Sequence, residues 1–324
     1  MKVLRTAIAW LLGLAFAAGA AAQSYPSRNV TLVVPFAPGG PTDVIARTLA
    51  QHLQKTLGQP VVVENQAGAN GNIGVGRVAR AAPDGYTLIV GHWSTHVVNG
   101  AVYTLTHDVL KDFEPVALIA TNAYVIVGRQ DLPANDLRGL VGWLKANPDK
   151  ATEGTAGAGS PQHVGGVFFQ NLTGTRFQFV PYRGAAPAMQ DLLAGHIDLI
   201  IDDPTNSLPQ LRGGKIKAFA VTAPSRLAAA PDIPTVDEAG LPGFYFSRWH
   251  ALWAPHGTPR EVVAKLNAAV AAALADPGVR AKLADLGQDI FPREQQTPEA
   301  LAAFHRTEIE KWWPLIKAAN IKAE

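Results

Sequence analysis

Two glycine-rich turns, each directly before a predicted helix, are the part of this sequence best suited to bind a ligand. The first spans residues 38–40 (Pro-Gly-Gly) ahead of Pro41, and the second spans residues 157–160 (Gly-Ala-Gly-Ser) ahead of Pro161. The N-terminus of a helix leaves backbone N–H groups without partners and carries partial positive charge, so it binds an anion without a charged side chain. Two such turns, about 120 residues apart, predict two lobes that hold one small anion between them.

Polar side chains beside the two turns are candidate ligand contacts, and each also has a structural interpretation. Asp43 lies in the first turn of its helix, where it either caps free N–H groups or receives an ammonium group or a bridging water. An unpaired carboxylate that faces an anionic ligand opposes binding, so a direct contact needs a cationic partner. Ser160 is suited to cap its helix with or without a ligand. His163, at the rim of the predicted cleft, is either a structural histidine or a ligand donor.

Further candidates follow predicted strands or precede predicted helices. Ser94 and Thr95 come after a strand, where parallel α/β sheets place ligands, and Thr95 is favoured for direct contact. Arg183 has a guanidinium that can pair with both oxygens of a carboxylate, or it forms an ion pair inside its own lobe. Asp203 either faces the cleft or caps the next helix. The predicted ligand-binding residues are Pro38, Gly39, Gly40, Thr42, Asp43, Ser94, Thr95, Gly159, Ser160, His163, Arg183 and Asp203.

Catalytic and metal-binding patterns are weak in this sequence. His92 and His96 are four residues apart, but the pattern puts them at a strand-to-loop transition without a nearby carboxylate to complete a zinc site. A serine hydrolase needs Gly-x-Ser-x-Gly, whereas Pro161 directly follows the serine here. The chain has no cysteine nucleophile, and residues 71–76 run in the reverse order of a dinucleotide-binding fingerprint. We therefore expect a binding protein with no catalytic residue, metal or cofactor, and a periplasmic hydrolase is the weaker alternative.

The first 22 residues predict a cleavable secretory signal peptide. Lys2 and Arg5 supply its positive end, and the apolar run over residues 7–18 is too short to span a bilayer. Three alanines at residues 20–22 match the small-residue pattern that signal peptidase recognises, so the mature chain would begin at Gln23 in a bacterial periplasm. A retained membrane anchor is the alternative.

Composition bears on the partners and on the source of stability. Removal of Lys2 and Arg5 lowers the basic count from 28 to 26, which equals the 26 acidic residues, so the mature chain would be nearly neutral. Basic residues are not clustered with aromatic ones, so we expect no nucleic-acid partner. The chain has no cysteine, and an exported protein without disulfides must be stabilised by a large buried core.

Alternating strands and helices surround an apolar connecting stretch at residues 115–129. Strands at 30–34, 61–63 and 86–91, with helices at 41–57 and 72–81, predict a parallel sheet covered by helices. The same alternation resumes over residues 136–221, and a helical tail over 259–319 is expected to pack back on the first lobe. The predicted division is a signal peptide (1–22), lobe 1 (23–123 plus 252–324) and lobe 2 (124–251).

Several short motifs, taken in order, resemble those of the Bug family of periplasmic solute receptors, which includes the binding proteins of tripartite tricarboxylate transporters. They are VPFAPGGPTD (34–43), VENQAGANGNIG (63–74), PDGYTL (83–88), GSPQH (159–163), YRG (182–184), PTVDEAG (234–240) and PHGTP (255–259). The resemblance implies an α/β fold of the type II periplasmic binding protein class, a "Venus flytrap" with two parallel-sheet lobes joined by two crossover strands. It also implies that a carboxylate-bearing ligand is held between the glycine turns, largely by backbone groups and ordered water.

The resemblance implies a function without fixing the ligand. Members of the family capture a small carboxylate or related amide and deliver it to integral-membrane permease subunits, and we expect this chain to do so as a monomer. The sequence departs from the family pattern at Gln66, where many members have a basic residue, and at His92 and Trp93, where small polar residues are usual. Trp93 leaves open a pocket for a larger or flatter ligand than citrate. A sensor that docks to a membrane kinase is the alternative function.

Overall fold

Eleven strands and ten helices make up the part of the chain that the computed structural model describes, residues 25–318 and 321–322. The predicted signal peptide lies outside the described residues. The strands are β1 (Val30–Val34), β2 (Val61–Asn65), β3 (Thr87–His92), β4 (Phe113–Ala123), β5 (Val125–Arg129), β6 (Thr152–Thr155), β7 (Gln178–Pro181), β8 (Leu199–Asp202), β9 (Ile216–Val221), β10 (Ser247–Pro255) and β11 (Asp289–Ile290).

The helices alternate with the strands until β9 and then dominate the C-terminal region. They are α1 (Pro41–Leu57), α2 (Asn72–Ala79), α3 (Asn99–Val102), α4 (Leu137–Ala146), α5 (Pro161–Thr173), α6 (Ala185–Leu193), α7 (Pro204–Arg212), α8 (Arg260–Ala275), α9 (Pro277–Asp285) and α10 (Pro298–Ala318). Two short 3-10 turns (Ala69–Gly71 and Arg293–Gln295) and a π-helical turn (Ser94–Val98) complete the helical structure of the described residues.

Helix α1 shows how the sequence sets the bounds of an element. It begins at Pro41, whose restricted φ suits the first helical position, and it ends before Gly58, which adopts a left-handed φ of 72°. Buried Ile45, Leu49 and Leu53 recur at helical spacing along the face that packs on the first sheet. The predicted bounds of this helix, residues 41–57, are those of the structure.

The strands form two mixed sheets. The first has the order β11-β4-β10-β3-β1-β2, and the second has the order β7-β6-β8-β5-β9. β1 pairs in parallel with β2 and β3, and β6 pairs in parallel with β7 and β8, as the strand–helix alternation predicts. β10 runs antiparallel to β3 and β4, and β5 runs antiparallel to β8 and β9. The sheets are therefore mixed and not purely parallel. Parallel pairing requires a crossover connection, usually a helix, and the strands that carry the chain from one sheet to the other have none before them.

We call each sheet with its helices a unit, and the chain passes between the two units at two adjacent places. Tyr124 alone separates β4 of the first sheet from β5 of the second, and the segment between β9 and β10 returns the chain. The Thr222 N–H donates to the Tyr124 carbonyl at 2.9 Å, and the Phe246 N–H donates to the Thr222 carbonyl at 3.0 Å. β10 pairs with the first sheet along its whole length, so the predicted boundary at 251/252 falls inside this strand.

The C-terminal helices pack on the first sheet, on opposite faces. α8 contacts α1 and β4, with Leu266 and Val270 fully buried in one core cluster. α10 contacts β4 and the π-helical turn, with Leu301 buried in the other cluster. Among the described residues no single helix is long and apolar enough to cross a membrane, although the bent pair α8–α9 meets the length and composition criteria with a 70° bend.

A buried carboxylic acid ends β8 beside the crossing. Asp202 is fully buried, and its Oδ2 accepts a hydrogen bond from Asn206 Nδ2 at 2.9 Å. Its Oδ1 has no hydrogen-bond partner among the described residues. Burial, reinforced by the negative charge of Asp203, raises the pKa of Asp202 to about 8. Asp202 is therefore mostly protonated at neutral pH.

This raised pKa predicts that Asp202→Asn stabilises the protein more at pH 8 than at pH 5. In the unfolded chain the pKa of an aspartic acid is about 3.9, so the wild-type protein loses stability as the pH rises from about 4 to 8, while the asparagine variant cannot ionise. We expect the free energy of unfolding of the variant, relative to wild type, to increase by at least about 1 kcal/mol between pH 5 and pH 8.

Urea unfolding followed by circular dichroism at the two pH values measures this difference. The control is Asp232→Asn, which makes the same substitution at an exposed position. A difference for Asp202→Asn that is the same at pH 5 and pH 8 would show that the buried acid does not titrate as described.

Candidate functional site

The two helices that follow the glycine turns begin at one small cavity between the two units, which we call the inner cavity. Gly40, Pro41 and Thr42 line it from the first unit, and Pro161 and Gln162 line it from the second. Its volume of about 20 Å³ is room for about one water molecule. The remaining lining residues are Phe36, His92, Ala156, Ala185 and Arg248.

A third helix also begins at the inner cavity. Ala185 is the first residue of α6, and Gly184 before it adopts a φ of 151°. A Cβ added at Gly184 would lie 3.2 Å from the Ala37 nitrogen, and the Ala37 N–H donates to the Arg183 carbonyl at 3.3 Å. The N-termini of α1, α5 and α6 thus converge on one buried space, where their partial positive charges add.

A wider groove of about 1230 Å³, the outer groove, continues from the inner cavity. Phe36 and Ala156 line both spaces. Tyr103 lines the outer groove from the first unit, and its hydroxyl donates to the Ala158 carbonyl of the second unit at 2.6 Å. Lys322 also lines it. The two spaces are therefore adjacent.

A strained loop forms one wall of the outer groove. Gly68, Ala69, Asn70 and Gly71 line it, and all four have positive φ values, of 139°, 47°, 48° and 88°. The Asn70 side chain is buried and donates to Asn99 Oδ1 at 2.8 Å, which helps to hold this conformation. Backbone strain of this kind persists only where surrounding structure enforces it, and it clusters at binding sites.

The structure brings four of the predicted ligand-binding residues to these two spaces. Gly40 and Thr42 line the inner cavity, and His163 and Arg183 line the outer groove. The Thr42 hydroxyl lies 3.2 Å from His250 Nε2, and Arg183 is exposed. The other eight line neither space: Pro38, Gly39, Asp43, Ser94, Thr95, Gly159, Ser160 and Asp203.

Asp43 has the contacts of its structural interpretation. Its carboxylate accepts hydrogen bonds from the Gly39 N–H at 2.9 Å, Arg47 Nε at 2.9 Å and Asn65 Nδ2 at 2.8 Å. Burial acts to raise the pKa of Asp43, but these hydrogen bonds and the Arg47 charge outweigh it and lower the pKa. The ionised carboxylate therefore braces the first glycine turn.

Ser94 and Thr95 are buried in the π-helical turn after β3. Thr95 Oγ1 accepts from the His92 N–H at 3.0 Å and donates to the His92 carbonyl at 2.9 Å, and the Ser94 N–H donates to His92 Nδ1 at 3.1 Å. These contacts position His92, which stacks on Phe36 with ring centroids 4.7 Å apart. Trp93 points away into the core, where it is fully buried, so it does not enlarge the pocket.

The second glycine turn is organised by its own side chains. Ser160 caps α5, with its hydroxyl accepting from the His163 N–H at 3.3 Å. The Gly159 N–H donates to His163 Nδ1 at 3.0 Å, which leaves Nε2 as the protonated nitrogen of the neutral ring. The His163 ring meets Phe179 edge to face, with centroids 4.7 Å apart, on the wall of the outer groove.

Asp203 joins the two units through Arg248. It caps α7 by accepting from the Thr205 N–H at 2.8 Å, and it accepts from Gln288 Nε2 at 3.1 Å. It also forms an ion pair with Arg248 of β10, and both residues are buried. Arg248 Nε and Gln162 Oε1 have no hydrogen-bond partner among the described residues, and both side chains line the inner cavity.

Sequence reasoning missed Arg248, Gln162, His92 and the start of α6 as parts of the site. An arginine inside the mostly apolar strand β10 was the available signal for Arg248, because a charge buried in a strand needs a partner. Gly184, directly before Ala185 and within the YRG motif, was the signal for the start of α6. No local pattern distinguishes Gln162 from a solvated polar residue.

Comparisons with known proteins agree with this architecture. The model of the tripartite tricarboxylate transporter family receptor matches residues 45–321. A protein of Agrobacterium vitis, described as a UPF0065 protein in the TAR-I ttuE-ttuC' intergenic region, is 42% identical over 300 residues, which are 93% of this chain and 87% of that protein.

Solved structures with similar folds are binding proteins. The periplasmic binding protein BugD has a TM-score of 0.89 and 40% identity, over 93% of this chain and 100% of that one. MatC from Rhodopseudomonas palustris, with bound malate, has a TM-score of 0.86 and 42% identity, over 90% and 100% of the two chains. An R. palustris protein solved with adipate has a TM-score of 0.88 and 36% identity, over 93% and 100%.

These matches confirm the predicted fold class, the family resemblance and the expectation that the chain is not an enzyme, because the family and the solved relatives are receptors and binding proteins. The chain belongs to the tripartite tricarboxylate transporter receptor family, with the Bug proteins among its relatives.

Proposed function

We propose that this protein is a periplasmic receptor that captures a small carboxylate-bearing metabolite in the inner cavity and delivers it to a tripartite tricarboxylate-type permease. The convergence of the α1, α5 and α6 N-termini on one space lined by both units carries the proposal. The malate and adipate bound by two relatives of the same fold support the ligand class.

Backbone groups supply most of the attraction for the ligand. Thr42 and Gln162 are second residues of α1 and α5, so their N–H groups have no partner within the helix. Ala185 begins α6 in the same space. Positive helix ends act more strongly in a buried space than in water, because the effective dielectric constant is lower there.

Ligand entry requires the two units to move apart. The inner cavity has room for about one water molecule, which is too little for a four-carbon diacid. We expect opening by rotation about the crossings at Tyr124 and Thr222, with lobe 1 formed by residues 23–123 and 252–324 and lobe 2 by 124–251. β10 would move as a whole with lobe 1, so residues 247–251, which the predicted division places in lobe 2, would move with lobe 1 instead. A ligand that contacts both lobes then stabilises the closed form.

The other predicted site residues take supporting parts in this proposal. Pro38 and Gly39, held by Asp43, shape the first turn, and Gly159 and Ser160 shape the second. Ser94 and Thr95 fix His92 on the cavity wall through the contacts described above. His163 and Arg183 lie on the wall of the outer groove, along which the ligand would enter.

The proposal predicts that ligand-stripped protein binds at least one small organic acid and closes as it does so. Isothermal titration with malate and adipate, each compared with its diamide, measures binding, and small-angle X-ray scattering of the free and bound forms measures closure. We expect the acid to bind more tightly than its diamide and the radius of gyration to fall. Failure of every acid in a panel of small mono-, di- and tricarboxylates to bind would contradict the proposed function.

Gly184→Ala is expected to weaken binding about tenfold or more while the protein remains folded. The new Cβ would lie 3.2 Å from the Ala37 nitrogen in the closed form, and the φ of 151° disfavours alanine. The substitution should therefore oppose closure of the two lobes. Gly195→Ala is the matched control, because Gly195 also has a positive φ, of 78°, but has no atom within 4 Å of an added Cβ. Equal loss of affinity in both variants would show that Gly184 acts only through local strain.

Arg183→Gln is expected to lower affinity for a small diacid by no more than about fivefold, mainly through a slower association rate. The side chain is exposed in a wide groove, where a charge contributes about 0–1 kcal/mol and is screened by salt. Stopped-flow association rates at low and high salt measure the effect, with Arg176→Gln, an exposed arginine paired with Asp149, as control. A loss of 50-fold or more would place Arg183 in direct contact with the bound ligand.

A further inference from the structure

Arg248 brings a buried positive charge to the wall of the inner cavity. It is 3% exposed and lines the inner cavity, and it is the one lining side chain with a permanent charge among the described residues. His92 also lines the cavity, but burial and the charge of Arg248 lower its pKa well below the usual value, so it is neutral. The positive charge available to a ligand in this space, apart from the helix ends, is therefore that of Arg248.

The hydrogen bonding of Arg248 is incomplete. One terminal nitrogen pairs with Asp203, while the buried Nε has no partner among the described residues. A guanidinium has five N–H donors in a planar fork, so it can pair with Asp203 on one edge and with a second carboxylate on another. Gln162, 1% exposed on the same cavity, also has an unpartnered side-chain oxygen. Two unpartnered polar side chains on one cavity mark a place for a bound group or an ordered water.

Asp203 has hydrogen-bond donors other than Arg248, so its position does not depend on the arginine alone. The Asp203 carboxylate also accepts from the Thr205 N–H at 2.8 Å and from Gln288 Nε2 at 3.1 Å. Arg248 lies on β10 of the first unit, and Asp203 lies at the start of α7 of the second. The ion pair therefore holds the guanidinium beside the cavity only when the two units are together.

From this arrangement we infer that Arg248 binds a carboxylate of the ligand directly through its Nε edge and makes the site selective for acids over the corresponding amides. The inference rests on the proposed function and deepens it, because backbone N–H groups alone attract any acceptor oxygen, whereas a guanidinium favours a full negative charge. Asp203 is a positioning residue that orients Arg248.

The test compares Asp203→Asn with the double variant Asp203→Asn/Arg248→Gln by calorimetric titration of malate, adipate and their diamides. The double variant removes both charges with side chains of similar size, so it leaves no unpaired buried charge. Asp203→Asn keeps a side-chain oxygen that can accept from Arg248, so it is the reference against which the loss of Arg248 is measured. We expect the double variant to lose about 10- to 100-fold in acid affinity with little change for the diamides.

The outcomes separate this inference from the proposed function. The inference about Arg248 is overturned if the double variant has acid affinity and acid-over-amide selectivity within threefold of those of Asp203→Asn. Arg248 would then be only a structural partner of Asp203. A wild-type protein that binds no acid would overturn both the inference and the proposed function. Arg248→Lys in the Asp203→Asn background keeps the charge without the planar fork, and it should recover part of the lost selectivity. Thermal melting followed by circular dichroism verifies that each variant is folded.

Discussion

The structure depends on the convergence of helix N-termini that belong to two different sheets. Each N-terminus would be an ordinary solvated helix end if its unit stood alone. The two adjacent crossings at Tyr124 and Thr222 bring them together, because they join the sheets on one side and leave the α1, α5 and α6 starts facing one another. A buried gap at which three helices begin favours negative charge, and in the proposed function it opens by rotation about the same crossings.

Around this gap the protein keeps its buried charges in balance. Arg248 pairs with Asp203 across the units, and the adjacent Asp202 holds a proton because its pKa is raised to about 8. Asp43 is ionised, and its carboxylate accepts hydrogen bonds from three donors outside the cavity. Buried histidines at positions 92 and 250 are neutral, since burial lowers the pKa of each. An entering anion therefore meets positive helix ends and one guanidinium whose charge is partly compensated.

Much of the fold follows from local sequence, and the site follows only in part. Proline and glycine bound α1 and the strand–helix alternation fixes the parallel pairs, so these elements were predictable. The antiparallel pairing of β5 and β10 could not be predicted, because no local sequence pattern determines the direction in which a crossing strand joins a sheet. The glycine turns were found because backbone geometry leaves a sequence signal. Arg248 and Asp203 are 45 residues apart, and the sequence holds no sign that they pair.

The most direct measurement is the ¹H–¹⁵N spectrum of the ligand-stripped protein during titration with malate and adipate. If the helix ends hold the acid, the amides of Thr42, Gln162 and Ala185 will shift together at one saturating concentration. Those of Gly174 and Gly195, which follow the C-termini of α5 and α6, will not shift. Shifts confined to residues of the outer groove, or uniform small shifts across the chain, would contradict the claim that one anion is bound where three helices begin.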